Sequence, residues 1–220
     1  MKPSTAVRPL RADAERNKRK IIDCARELVA HRGLDITLDD VAARAGLGVG
    51  TVYRRFANKK ELFDGILEQQ LADMLDQADR AAAAHDPWAA MLEFFESMFQ
   101  SMASDRGLGD AVLGDNDGLA RIAAIRCRLE PAIETIIVRA QHAGRMRPDV
   151  QPGDFFAIIR MVIAAAEVAD EVDEDNWRRY FTIVIDGLAA NPEHNTQLPG
   201  RSLTTEEIHR AKARLHRRGQ

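Results

Sequence analysis

The 220-residue sequence predicts an all-α fold, and three observations carry that reading. Apolar residues recur at helical spacing along nearly the whole chain, and no run alternates with the period of two expected of a half-buried strand. Glycine and proline fall where those stripes begin or end, at Gly33, Gly46, Pro87 and Pro152. Three short helices crowd the first quarter, and a larger helical block follows.

A first helix over about 13–32 carries Ile21, Ile22, Ala25, Leu28 and Val29 on one stripe and stops at Gly33. In "ITLDDVAARAG" Thr37 caps a second helix, with Asp40 three residues on. Ile36 and Val41 stand at the two positions of a hydrophobic staple, and Gly46 closes the helix. "LGVGTVYRRF" supplies a third helix ending at Phe56, with Val52 and Phe56 turned inward. Asn58 caps a fourth, about 59–80, striped by Leu62, Phe63, Ile66, Leu67, Leu71, Met74 and Leu75.

The second block begins at Asp86 and Pro87 with a helix to about Ala103, on which Trp88, Met91, Phe95, Met98, Phe99 and Met102 fall at helical spacing. A Gly/Asp-rich loop, "DRGLGDAVLGDNDG", follows. Two helices are expected over about 117–129 and 131–143, separated by a break or kink at Pro131. Pro152 opens "PGDFFAIIRMVIAAAEVAD", and the acidic connector "DEVDED" leads to "NWRRYFTIVIDGLAA". In the tail, Thr204 with Glu207 forms a capping box and Leu203 with Ile208 a staple, which predicts a short basic helix. The expected divisions are a flexible basic arm (1–11), a helix-turn-helix domain (12–58), a connecting helix (59–80), a helical block (81–190) and a tail (191–220).

Charge divides the same way. Residues 1–60 carry +7, residues 61–200 carry −14 and residues 201–220 carry +4. A basic head on an acidic body suits a protein that meets a polyanion at one end and repels it elsewhere. The two cysteines, Cys24 and Cys127, lie far apart in helical patterns and the six histidines lack ligand spacing, so no metal, cofactor or disulfide framework is expected. No apolar run is long enough to span a bilayer and the N-terminus lacks a signal-like core, which points to a cytoplasmic protein with no membrane partner. Neither a Ser/His/Asp or Cys/His order nor a nucleotide-type glycine loop stands out, so no catalytic residue is assigned.

Short helices joined by a four-residue glycine turn form the pattern of a helix-turn-helix, whose later helix enters the major groove of double-stranded DNA. Gly48 and Gly50 let the main chain approach the sugar-phosphate wall. Thr51 offers a hydroxyl, Tyr53 a ring and a hydroxyl, and Arg54 and Arg55 bidentate donors for phosphate or guanine. Arg44, on the second helix, is a further candidate. From about Arg16 to Leu71 the chain resembles the DNA-binding domain of the TetR family of bacterial transcriptional regulators, through "TLDDVAARAGLGVGTVYRRF" and "ANKKELF". The resemblance implies a phosphate contact at Thr37, groove-facing positions at Val49, Gly50 and Thr51, the family's tyrosine at Tyr53 and a phosphate-contacting lysine at Lys59. Arg54 and Arg55 occupy positions that vary across the family.

The resemblance further implies a homodimer whose C-terminal helical ligand-binding and dimerisation domain takes a small effector, with release of a DNA operator. Met91, Phe94, Phe95, Met98, Phe99 and Met102 could line an adaptable apolar cavity, although the same stripe is what an ordinary core looks like. The helix at 152–170, through "FFAIIRMVIAAA", and the stretch "YFTIVIDGLAA" are apolar nearly all round and need burial on all sides, which calls for a partner chain. Phe156, Ile159, Ile163, Tyr180, Ile183 and Val184 are the expected interface. A repressor is the leading expectation; a ligand-independent or architectural DNA binder is the alternative, and activation stays open.

Overall fold

The computed structural model describes residues 7–33, 35–104, 120–169, 172–173, 175–204, 206–208 and 210. The expected Gly/Asp-rich loop and most of the expected basic C-terminal helix lie outside the described residues. Two compact units divide the chain, Met1–Gln69 and Gln70–Gln220.

In the first unit α1 (Val7–Arg32), α2 (Leu38–Ala45), α3 (Val49–Arg55) and the first turns of α4 (Lys59–Ala83) close one core. Helix α1 begins earlier than expected, so residues 7–11 of the basic arm are helical. Pro9 falls in its first turn, where a missing N–H costs no helical bond. The core is built from Ile21, Ile22, Ala25 and Leu28 of α1, Ile36, Leu38, Val41 and Ala42 around α2, Val52 and Phe56 at α3, and Leu62 and Ile66 of α4.

The capping box at Thr37 is complete. The Asp40 amide donates to the Thr37 hydroxyl at 3.1 Å, and the Thr37 amide donates to the Asp40 carboxylate at 2.9 Å. The Thr37 hydroxyl, donating to the Asp40 carboxylate, and after it the Thr37 amide hold that carboxyl below its usual range. Gly46 adopts φ +61°, a left-handed conformation that ends α2 and turns the chain toward α3. At the next cap Asn58 Oδ1 accepts the Glu61 amide at 2.9 Å, and the Glu61 carboxylate accepts the Ala57 amide at 2.8 Å.

Gly65, inside α4, has a reason the sequence does not announce. A Cβ there would stand 2.7 Å from Phe56 Cε1, so the absence of a side chain seats the ring that anchors the end of α3.

The second unit holds the rest of α4 with α5 (Pro87–Ser104), α6 (Ala120–His142), α7 (Asp154–Ala169) and α8 (Trp177–Leu188). Asp86 Oδ1 accepts the amides of Trp88 and Ala89 and starts α5. Of the break or kink expected at Pro131, the break does not occur: α6 runs through it as one helix. An interior proline costs about 3 kcal/mol. Leu129, Ile136, Ile137 and Ala140 are buried on the two sides of it. At roughly 1.5–3 kcal/mol for each large apolar side chain, that burial outweighs the loss.

Helix α5 packs against α6 and α7, and α7 against α8. The six residues offered as cavity lining, Met91, Phe94, Phe95, Met98, Phe99 and Met102, are all packed, none more than 3% exposed. Phe95 stacks on Phe155 with centroids 4.9 Å apart, and Phe99 meets Phe181 at 5.4 Å and Trp177 at 6.3 Å. Arg139 of α6 donates to the carbonyls of Ala82 and Ala84 at 2.5 and 2.6 Å and so caps the open end of α4.

Arg147, between α6 and α7, is the buried charge among the described residues of this unit. Its guanidinium forks onto Asp149 at 2.6 and 2.8 Å and donates to the Thr196 carbonyl at 2.5 Å and that of Gly187 at 3.4 Å. Asp149 also accepts the Leu198 amide at 3.0 Å. The start of the expected tail is therefore tied to this unit. Farther along, Leu203 crosses Gly153 so closely that a Cβ at Gly153 would meet its carbonyl oxygen at 2.1 Å. The Thr204–Glu207 capping box is formed, with helical residues at 206–208 and 210.

Two outcomes test this packing. Gly65→Ala gains up to about 1 kcal/mol of helix propensity but forces the Phe56 ring aside, typically at about 1–3 kcal/mol, so thermal denaturation should show a net loss. Asp149, held far below the usual carboxylate range by Arg147 and the Leu198 amide, contributes stability that is present at neutral pH and lost as acid protonates it. Asp149→Asn should therefore be less stable at neutral pH and lose less of its stability on acidification, measured as urea midpoints between pH 7 and pH 2.

Candidate nucleic-acid interface

Helix α3 has only seven residues; Val52 within it is fully buried, and Phe56, its C-cap, is 5% exposed. The opposite surface is open. Val49 and Tyr53, one turn apart, are 46% and 47% exposed. Neither glycine here is required by crowding. Gly48, the N-cap, has an ordinary φ of −64°. A Cβ on Gly50 would meet nothing within 4 Å, and one on Gly48 only Thr51 Oγ1 at 3.9 Å. Glycine within a helix costs about 1 kcal/mol relative to alanine, so α3 carries a destabilising residue that no neighbour in the chain explains.

Thr51 is half-buried and its hydroxyl accepts a hydrogen bond from Arg54 at 3.3 Å. Arg54 is exposed, and Arg55 lies 3.7 Å from Glu15 of α1. Thr37 stands exposed at the start of α2, its hydroxyl donating to Asp40 at 2.6 Å, and Lys59 stands exposed at the start of α4 with its ammonium 5.8 Å from the Phe63 ring centroid. Gly48, Val49, Gly50, Thr51, Tyr53, Arg54 and Arg55 thus share one short element. Arg44 stands apart from them, in the last turn of α2, where it donates to Glu27 of α1 at 2.6 and 3.0 Å. That pairing raises its pKa and makes it a brace between two helices.

The sequence reading missed a cleft of about 190 Å³ between α1 and α3, to which Asn17 and Lys18 contribute beside Thr51, Arg54 and Arg55. The signal was the run of polar residues preceding Ile21 on α1.

In the second unit, Tyr180 and Ile183 are 42% and 58% exposed, and Val184 is half-buried. Gly187, exposed on the same stripe, has open space where a Cβ would stand. On α7 Ile163 is half-buried, whereas Ile159 is 6% exposed and packs into its own unit; the Phe156 side chain lies outside the described residues. Met161 and Val168, absent from the expected interface, are 59% and 88% exposed.

A second cleft, of about 340 Å³, is lined by Gln77, Arg80, Ala81, Ala84, Ala90, Glu93 and Phe94; of the expected cavity residues only Phe94 reaches it. No described helix is long and apolar enough to cross a membrane.

Comparison with known proteins agrees with this geometry. Residues 21–66 match the family described as bacterial regulatory proteins of the tetR family, and residues 86–190 match the C-terminal domain of SbtR-like transcriptional regulators. The crystal structure of a TetR transcription regulatory protein from Mycobacterium vanbaalenii is 31% identical, with a TM-score of 0.63 over 82% of this chain and 99% of that one. An HTH-type transcriptional regulator of Staphylococcus aureus, SAR0097, is 32% identical over 84 residues, 37% of this chain and 44% of that protein. The chain spans less than half the length of the curated relatives it matches. A Bacillus subtilis regulator, FadR, solved in complex with stearoyl-CoA, shares the fold at 17% identity and a TM-score of 0.55, over 76% of this chain and 95% of that one.

Proposed function

The chain belongs to the tetR family of bacterial regulatory proteins, and from that premise we propose that it represses transcription by binding a palindromic operator as a dimer and leaves the operator when a small molecule binds. It is a transcriptional regulator with a DNA-binding helix-turn-helix; the family is not one of enzymes.

One observation carries the DNA reading: α3 tolerates a glycine that its own fold does not need. A helix in the major groove meets base edges and phosphate walls across a space about as wide as itself, so a missing side chain at Gly50 lets backbone come close. Thr51 and Tyr53 supply hydroxyl and ring contacts on either side, while Arg54 and Arg55 supply charge. Thr37 and Lys59, at the starts of the flanking helices, contact phosphates. Arg44 contributes by holding α2 to α1.

The exposed stripe Tyr180, Ile183, Val184 and Gly187 on α8, continued by Met161 and Val168 on α7, supports a symmetric interface with a second copy. Two copies set two recognition helices about one DNA turn, roughly 34 Å, apart. An effector that prefers the spacing unsuited to DNA weakens binding by its differential affinity for the two states. A cytoplasmic setting follows from that role. The tight packing of the α5 stripe favours a second reading, in which the protein binds DNA without any effector.

Three outcomes test the proposal. Gly50→Ala should keep or raise the melting temperature while weakening operator binding in fluorescence anisotropy, because its cost falls on the complex alone. Raising salt from 50 to 200 mM should lower operator affinity by at least about a thousandfold, as expected for six or more neutralised phosphates; a flat titration would count against a phosphate-dominated complex. Ile183→Asp should give a monomeric mass in light scattering and lose operator binding while retaining helical content.

A further inference from the structure

The cleft between α1 and α3 is floored by Ala14 and Ile21 and ringed by Asn17, Lys18, Thr51, Arg54 and Arg55. Three cations, a hydroxyl and a carboxamide therefore face about 190 Å³ of open space. The Asn17 side chain is half-buried there and has no hydrogen-bond partner among the described residues. The nearby carboxylates sit at the edges: Glu15 lies 3.7 Å from Arg55, and Glu68 lies 3.7 Å from Lys18. Such a ring suits a compact monoanion with several acceptor oxygens, and it suits an apolar molecule poorly.

We propose that this cleft seats one backbone phosphodiester of the bound operator, and that Asn17 of α1 is a phosphate-contacting residue in addition to those on α3. The inference rests on the reading that α3 occupies the major groove. A helix about 10–12 Å across fills a groove about 12 Å wide, so its flanks meet the phosphate walls. Thr51, Arg54 and Arg55 line the cleft from the α3 side, so a phosphate wall running along that flank of the helix would reach it. Entry of the phosphodiester replaces Glu15 on Arg55 with a phosphate oxygen. Asn17 then donates its N–H to a second oxygen and fixes the position of the strand without reading a base. Glu15 thereby opposes binding and Asn17 supports it.

Anisotropy with the selected operator and with an unrelated duplex tests this on the full-length protein, with circular dichroism melts confirming each fold. Asn17→Asp should weaken both affinities by at least about fivefold, the water-limit repulsion of unit charges about 4 Å apart. Glu15→Gln should strengthen both, by up to about fivefold, as expected for release of an exposed ion pair. The ratio of operator to unrelated duplex should stay unchanged in both variants, whereas Tyr53→Ala should reduce it. If Asn17→Asp and Glu15→Gln leave both affinities within about twofold of the parent, without the uniform weakening that loss of a phosphate contact brings, while Tyr53→Ala still loses operator selection, the seat is overturned and the groove reading survives. If none of the three changes binding, both fall. Inorganic phosphate, titrated without DNA at fixed ionic strength, should give no saturable shift of the Asn17 side-chain amide in NMR spectra. Saturation at millimolar phosphate would assign the cleft to a free anion and overturn the operator contact.

Discussion

A helix of seven residues cannot hold itself in water, because nucleation costs more than so few hydrogen bonds return. The orientation of α3 is therefore lent by its neighbours, through Val52 and Phe56. Phe56 matters most, since its ring enters α4 at the one place, Gly65, where that helix has no side chain. The whole outer surface of α3 is aimed by this contact. A ring displaced by an ångström at one end of so short a helix would move every group on its far side by a comparable distance.

The division of labour on α3 follows. Its inward residues are apolar and packed, while its outward ones are a mixture: two glycines, a valine, a threonine, a tyrosine and two arginines. Among the charged groups nearby, intramolecular partners separate braces from free surface. Arg44 forks onto Glu27 and braces, Arg55 leans on Glu15 from farther away, and Lys59 rests above a ring with its charge in water. Exposed pairs of this kind contribute about 0–1 kcal/mol, little enough for a polyanion to displace the looser ones.

Local chemistry was legible in the sequence. The Thr37–Asp40 box, the Gly46 stop, the Asn58 cap and the inward pair Val52 and Phe56 each depend on residues no more than four positions apart, and the structure has them all. What escaped depends on distance or on phase. Gly65 answers to Phe56 across a turn, and Arg44 to Glu27 on another helix. Pro131 looked like a break because its cost is local, whereas the burial that outweighs it is tertiary. The α7 helix misled for a different reason: apolar all round, it offers no pattern from which to read which side turns inward. Ile159 therefore went to the core and Met161 and Val168 to the surface without any sequence signal to tell them apart.

The buried Arg147 has a consequence for where this protein can be cut. The matched C-terminal domain stops at residue 190, yet the guanidinium takes the carbonyl of Thr196, and its Asp149 partner takes the amide of Leu198. A fragment trimmed at the domain boundary would strip an acceptor from the nearly enclosed guanidinium and a donor from its half-buried carboxylate, and uncover the Gly153 backbone beneath Leu203. The working edge of the folded protein thus lies more than a dozen residues past the end of its last long helix, and expression fragments should be drawn accordingly.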